Sequence, residues 1–94
     1  MNIELKELIE DNECILADGF DNAIVGVSQG VNPVVIYDVS LCIDVLVKQG
    51  MSHEDALEFF DFNVSGSYVG EKTPIFVNVI ESEGAEIYLH DPND

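Results

Sequence analysis

The chain has 94 residues, of which 19 are acidic and only three are Lys or Arg, so its formal net charge is −16. Hydrophobic residues make up 47%, which is ample for one folded domain and argues against disorder. Such a charge disfavours direct binding to nucleic acid or to an anionic membrane, because phosphate contacts depend on Lys and Arg. No apolar run reaches the roughly 20 residues that a membrane span needs. We therefore expect a single compact domain over residues 1–94.

Residues 1–12 are predicted to form an N-terminal helix. Leu5, Leu8 and Ile9 follow the i, i+3, i+4 spacing of an apolar stripe, so this helix is expected to dock on the core. The same stretch is acidic and amphipathic, which is not typical of a secretion signal. The apolar run 14–17 that follows is compatible with a short strand or with a buried turn.

Two cysteines, Cys14 and Cys42, lie in apolar surroundings and have no CxxC spacing. We predict buried, reduced thiols, which are typical of a cytoplasmic protein, and a disulfide between the two is the alternative. The predicted location is therefore the cytoplasm.

The segment Asp18–Asn22 has the sequence DGFDN, whose Asp and Asn side chains are of the type that bind metal ions in loops. A calcium loop needs oxygen ligands at alternate positions and a closing Glu, whereas this chain has Phe20 and Gln29 at those points. His53 stands without the second His of a zinc-protease motif. We therefore predict a polar turn at Asp18–Asn22, and no metal or cofactor.

Four segments have the composition of β-strands. Residues 23–28 and 33–37 flank a Gly- and Asn-containing link and are predicted to form a hairpin, with a bulge or a close backbone approach at Gly26. Residues 75–80 are rich in Ile, Val and Phe and predict a third strand, and residues 85–90 predict a final one.

Two consecutive helices are predicted between the hairpin and the third strand. Helix 41–49, with Ser40 as its N-cap, is apolar nearly all round and is expected to be the buried centre of the domain. Gly50 ends it, and helix 53–65 follows with Ser52 as its predicted N-cap. The predicted fold is α+β in the order αββααββ, a mainly antiparallel sheet covered by the helix pair, with a frayed tail at 91–94.

The outer face of helix 53–65 carries the best candidate site in the sequence. A helix-turn-helix DNA reader is rejected, because an acidic recognition helix would repel phosphates. A solvated helix surface is the ordinary interpretation of an acidic stripe, but the chain has almost no Lys to balance it. An apolar anchor beside the acids would suit a protein partner. The predicted partner-binding residues are Glu54, Asp55, Glu58, Asp61 and Phe62.

Part of the chain also resembles a group of small uncharacterised acidic proteins of bacteriophages and bacterial genomes. The resemblance covers about residues 18–78 and has no catalytic signature, so it carries over no functional residues. It implies a context in which small acidic phage proteins block host nucleic-acid-binding machinery. The matching positions are Asp18-Gly19-Phe20, Tyr37-Asp38, Cys42-Ile43, Gly50-Met51-Ser52, Phe60, Phe62-Asn63, Gly66, Val69-Gly70 and Thr73-Pro74.

The leading hypothesis is a non-enzymatic acidic interaction protein of phage type. Its expected partner is a basic surface of a host nucleic-acid-binding protein, which it would occupy as a nucleic-acid mimic, in an anti-defence or anti-CRISPR-like role. No catalytic Ser/His/Asp or Cys/His set can be distinguished in the sequence. The alternative is a housekeeping α+β domain whose acidity serves solubility only.

Overall fold

A computed structural model describes residues 2–80 of the chain. These residues form an α+β unit, which confirms the predicted fold class. The predicted final strand at 85–90 and the tail at 91–94 lie outside the described residues. The elements are α1 (Ile3–Asp11), a 3-10 turn (Asp21–Ala23), β1 (Ile24–Val27), β2 (Val35–Asp38), α2 (Val39–Lys48), α3 (His53–Phe60), a π-helical segment (Asp61–Ser65) and β3 (Ile75–Val77).

The described sheet has three strands in the order β1-β2-β3. β1 and β2 form the predicted antiparallel hairpin, and the register shift between Ile24 and Gly26 confirms the bulge. β3 runs parallel to β2, with Phe76 opposite Tyr37. The described sheet is therefore mixed, and the antiparallel character holds for the hairpin alone. The helices between β2 and β3 supply the long crossover that parallel pairing requires.

Two predicted apolar segments are shorter or less regular than expected. β3 covers Ile75–Val77, half of the predicted 75–80, and Val79 and Ile80 are exposed. Residues 14–17 are irregular and form neither a strand nor a helical turn. They follow the end of α1, where Glu13 adopts a left-handed φ of 53° and turns the chain away from the helix axis.

Helix α1 begins at a side-chain cap, since Asn2 Oδ1 accepts a 2.8 Å hydrogen bond from the backbone N–H of Leu5. Ile9 is buried in the core and Leu5 packs against it. Leu8, predicted to share their stripe, is about half exposed instead. The helix thus contacts the core along a narrower line than its sequence suggests.

Helix α2 begins earlier than predicted, because its N-cap is Asp38 and not Ser40. The Asp38 carboxylate accepts a 2.8 Å hydrogen bond from the backbone N–H of Ser40. Since Asp38 is also the last residue of β2, strand and helix follow each other without a loop.

The prediction that α2 is the buried centre of the domain holds for part of its surface only. Cys42, Ile43 and Leu46 are buried, and Val39 and Val45 pack at the edge of the core. Leu41 and Val47 are exposed, although α2 packs against α3, the 3-10 turn and β2.

Helix α3 starts at the predicted cap, where Ser52 Oγ accepts from the backbone N–H of Asp55 at 3.1 Å. Gly50, with φ at +111°, makes the turn from α2 that the sequence predicted. The predicted helix 53–65 is present but changes geometry after Phe60, where residues 61–65 form a π-helical turn. Ala56 and Phe60 are its buried side chains.

An aromatic stack joins the helices to the sheet. Tyr37 of β2 stacks on Phe76 of β3 with ring centroids 5.2 Å apart, and Phe60 of α3 meets Phe76 edge-on at 5.3 Å. Each such contact is worth about 0.5–1.5 kcal/mol beyond the area it buries. The core around this stack contains Ile9, Phe20, Ala23, Val35, Cys42, Ile43, Leu46 and Ala56.

Candidate interaction surface

The five predicted partner-binding residues all lie on the solvent side of α3 and the π-helical segment. Burial of Ala56 and Phe60 fixes the inward face of the helix, so the carboxylates of Glu54, Asp55 and Glu58 project outward and are exposed. Side chains one turn apart on a helix lie about 5–6 Å from each other. α3 therefore presents a row of closely spaced negative charges. The remaining two, Asp61 and Phe62, are also exposed.

Three of these five residues line a shared concavity, which we call the acidic groove. Asp55 and Glu58 supply its charge, and Phe62, with 83% of its side chain exposed, supplies an apolar wall. The groove is open and encloses about 390 Å³. Glu54 and Asp61 lie outside it, on the same helical segment. The lining residues are Met51, Asp55, Glu58, Phe59, Phe62 and Asn63.

A second concavity, the apolar groove, was not predicted from the sequence. It encloses about 320 Å³ between the 15–20 segment, the end of α3 with its π-helical turn, and the 67–76 segment that leads into β3. Asp18 is the one acidic side chain that lines it within the part of the chain that the structure describes. The main apolar walls are Ile15, Leu16, Phe59, Val64, Val69 and Phe76.

Phe59 and Asn63 line both grooves, so the two concavities adjoin each other across the helix. The Asn63 side-chain amide donates to the Phe59 carbonyl at 3.2 Å, and the Ser67 hydroxyl donates to the Asn63 carbonyl, also at 3.2 Å. These bonds provide donors for backbone carbonyls where the α-helix gives way to the π-helical segment. Single π-helical turns are often found at functional sites.

The three Lys side chains of the chain are not among the residues that line the two grooves. Lys6 is on α1 and Lys48 is at the end of α2. Lys72 Nζ donates to the Pro33 carbonyl at 3.1 Å, which turns it toward the hairpin. None of these three residues lines either groove, and all three lie within the described part of the chain. The local potential at the acidic groove is therefore set by carboxylates.

In the described range 2–80, the buried titratable groups Tyr37 and Cys42 lie in the core and do not line the grooves. Burial raises the pKa of the Cys42 thiol to about 11, with a smaller contribution from the Asp38 carboxylate. Desolvation also raises the pKa of Tyr37, and the hydrogen bond from Ala17 opposes that rise. Both groups are therefore protonated at neutral pH.

The polar turn at 18–22 is present as predicted. Gly19 adopts φ +91°, Phe20 is buried, and the 3-10 turn from Asp21 leads directly into β1. Among residues 2–80 no cluster of three His, Cys, Asp or Glu side chains is placed to hold a metal ion. Within the same range, no helix has the length and apolar character needed to cross a membrane.

Comparisons with known proteins give no relative from which a role can be transferred. No family model, curated protein or solved structure matches the chain. The net charge of −16 and the two grooves therefore form the basis for inferring a function.

Proposed function

We propose that this protein is a non-enzymatic, acidic interaction protein that binds a basic surface of a nucleic-acid-binding protein. In this role its carboxylates take the place of phosphates, so the partner is prevented from binding DNA or RNA. The resemblance to acidic phage proteins adds the proposed setting, which is the cytoplasm of a bacterial host and an anti-defence or anti-CRISPR-like activity.

The observation that carries the proposal is the acidic groove on a chain of net charge −16. Asp55 and Glu58 stand beside the exposed ring of Phe62. An Arg side chain suits such a place, because its guanidinium pairs with carboxylates and also stacks on an aromatic face. Arg and aromatic residues are also the commonest anchors of protein interfaces.

The surrounding charge would act mainly on the rate of association. A strongly negative protein and a basic patch attract each other over distances set by the ionic strength, about 10 Å at 0.1 M salt. The same charge repels nucleic acid. This protein and nucleic acid would therefore compete for the partner without binding each other.

The test compares two variants with the same change in net charge, from −16 to −12. The α3 variant carries Glu54→Gln, Asp55→Asn, Glu58→Gln and Asp61→Asn. The control carries four matched changes on the exposed face of α1, which are Glu4→Gln, Glu7→Gln, Glu10→Gln and Asp11→Asn. Each protein is immobilised and used to isolate proteins from a bacterial lysate treated with nuclease.

We expect the wild type and the α1 variant to retain a DNA- or RNA-binding protein that the α3 variant loses. Retention should fall with added salt, and a duplex oligonucleotide should displace the captured protein. Equal capture by all three proteins would contradict the proposal. It would favour the alternative in which the acidity serves solubility only.

A further inference from the structure

Among residues 2–80, the apolar groove has exposed apolar walls beside the acidic groove. Leu16 is 41% exposed and Val69 is 52% exposed, and both are groove walls. Its volume of about 320 Å³ is at the lower end of the range of about 300–1,000 Å³ found for small-molecule sites. A concavity of this kind suits one or two apolar side chains.

The negative charge of the protein favours a basic partner at the apolar groove. A second copy of the chain would bring its own net charge of −16 close to the acidic face. This repulsion opposes self-association. Residues 81–94 include five acids and no Lys or Arg, so charge gives this segment no attraction to the surface either. A basic segment, in contrast, gains attraction from Asp18 at one groove and from Asp55 and Glu58 at the other.

We propose that the apolar groove receives an apolar side chain of a basic, amphipathic segment of the partner, whose Lys or Arg residues contact the acidic groove. The inference rests on the proposed function, and it adds a second, uncharged recognition element to it. Phe59 and Asn63 make this arrangement continuous, because both residues contact the two sites at once. Specificity then arises because this protein offers an apolar groove beside its carboxylates, whereas nucleic acid offers the partner negative charge without such a groove.

The probe is a synthetic helical peptide with leucines on one face and arginines on the other. Two matched peptides replace either the leucines by serines or the arginines by glutamates. Binding to the full chain is followed by methyl NMR, which reports Leu16, Val64 and Val69 directly. The groove variant is Leu16→Ser with Val69→Ser, and the control is Val31→Ser, a fully exposed side chain outside both grooves.

We expect saturable shifts of the methyl groups of these three residues with the Leu/Arg peptide. Replacing the leucines, or using the groove variant, should weaken binding by roughly tenfold, while Val31→Ser should leave it unchanged. Equal binding of the Leu/Arg and Ser/Arg peptides, with no effect of the groove variant, would overturn this inference and leave the charge-based function standing.

Equal binding of the Leu/Glu peptide would instead contradict the proposed function, since charge would then play no part. NMR spectra of the protein without peptide test two other occupants of the apolar groove, a second copy of the chain and its own C-terminal residues. Methyl shifts that change with protein concentration would show a second copy in the groove. Nuclear Overhauser contacts from Leu89 to Leu16 would show that the chain fills the groove itself. Either result overturns the inference.

Discussion

The backbone N–H of Ala17 donates a 2.6 Å hydrogen bond to the hydroxyl of Tyr37. This bond joins an irregular surface segment to the central strand of the described sheet, because Tyr37 lies in β2 and is fully buried. Ala17 also lines the apolar groove, together with Ile15 and Leu16. The position of one groove wall is therefore fixed by a side chain from the core.

Tyr37→Phe should destabilise the protein by about 1–2 kcal/mol, because the Ala17 N–H loses its partner while the ring is retained. The free energy of unfolding, measured by urea denaturation, checks the magnitude. Hydrogen exchange should become faster at the Ala17 amide, which the hydroxyl now protects. Tyr68→Phe is the control, since Tyr68 is 78% exposed and its loss should change neither quantity. Unchanged exchange at Ala17 in Tyr37→Phe would contradict the anchoring role.

The raised pKa of Cys42 predicts a loss of stability at alkaline pH. The folded-state value of about 11 lies above the ordinary value of 9.0, so deprotonation favours the unfolded chain. This contribution is fully present below pH 9 and declines as the pH rises from 9 to 11. Over this pH range the Cys42 contribution to the free energy of unfolding should fall by on the order of 2 kcal/mol.

The free energy of unfolding, measured between pH 8 and about pH 10, tests this slope. Cys42→Ala should lower stability at neutral pH and flatten the slope above pH 9. Ile43→Val serves as the control, because it removes buried volume from the same helix without removing a titratable group. If the free energy of unfolding falls with pH as steeply in Cys42→Ala as in Ile43→Val, the decline does not come from deprotonation of Cys42.

The start of α2 offers a direct comparison between two candidate caps. Asp38→Ala should cost about 1 kcal/mol, because it removes the acceptor for the Ser40 N–H. Ser40→Ala should have little effect on the free energy of unfolding, since the side chain of Ser40 is exposed and only its backbone uses the cap. Asp38→Asn keeps an acceptor and should recover most of the loss. A larger cost for Ser40→Ala than for Asp38→Ala would reverse the assignment.

Phe60 and Phe62 are near neighbours in sequence with opposite expected roles. Phe60→Ala should destabilise the fold by about 3–5 kcal/mol, because the ring is 4% exposed and packs against Phe76. Phe62→Ala should leave the free energy of unfolding within about 0.5 kcal/mol of the wild type, because its ring is exposed.

In binding experiments the order should be reversed. Folded Phe62→Ala should lose affinity for the Leu/Arg peptide by about tenfold or more, as an interface anchor does. Thermal denaturation and peptide titration of the same sample separate the two effects. A folded Phe62→Ala that binds as well as the wild type would remove Phe62 from the site.

The fold class and most element positions follow from local signals in the sequence. The hairpin, its bulge at Gly26, the turn at Gly50 and the Ser52 cap each depend on one or a few adjacent residues, and each is confirmed. The Asp38 cap was missed because Ser40 is an equally good cap by type. Only the observed hydrogen bond distinguishes them.

Features that depend on distant parts of the chain were harder to predict. Leu41 and Val47 are apolar, but whether they are covered depends on what packs against α2, which periodicity does not reveal. The outward direction of Glu54 and Glu58 was predictable, because the inward side of an amphipathic helix fixes it. The apolar groove was not, since its walls come from three segments that only the tertiary structure brings together.

The parallel pairing of β2 with β3 has a consequence for the order of folding. The hairpin closes over a short loop, whereas β3 reaches β2 only after the 36 residues 39–74 have been brought into place. Contacts between segments so far apart in sequence carry a larger loop-closure entropy and form late. Pro74 and Phe76 line the apolar groove. The apolar groove is therefore complete only once β3 has paired with β2, and the proposed docking of an apolar side chain requires that pairing.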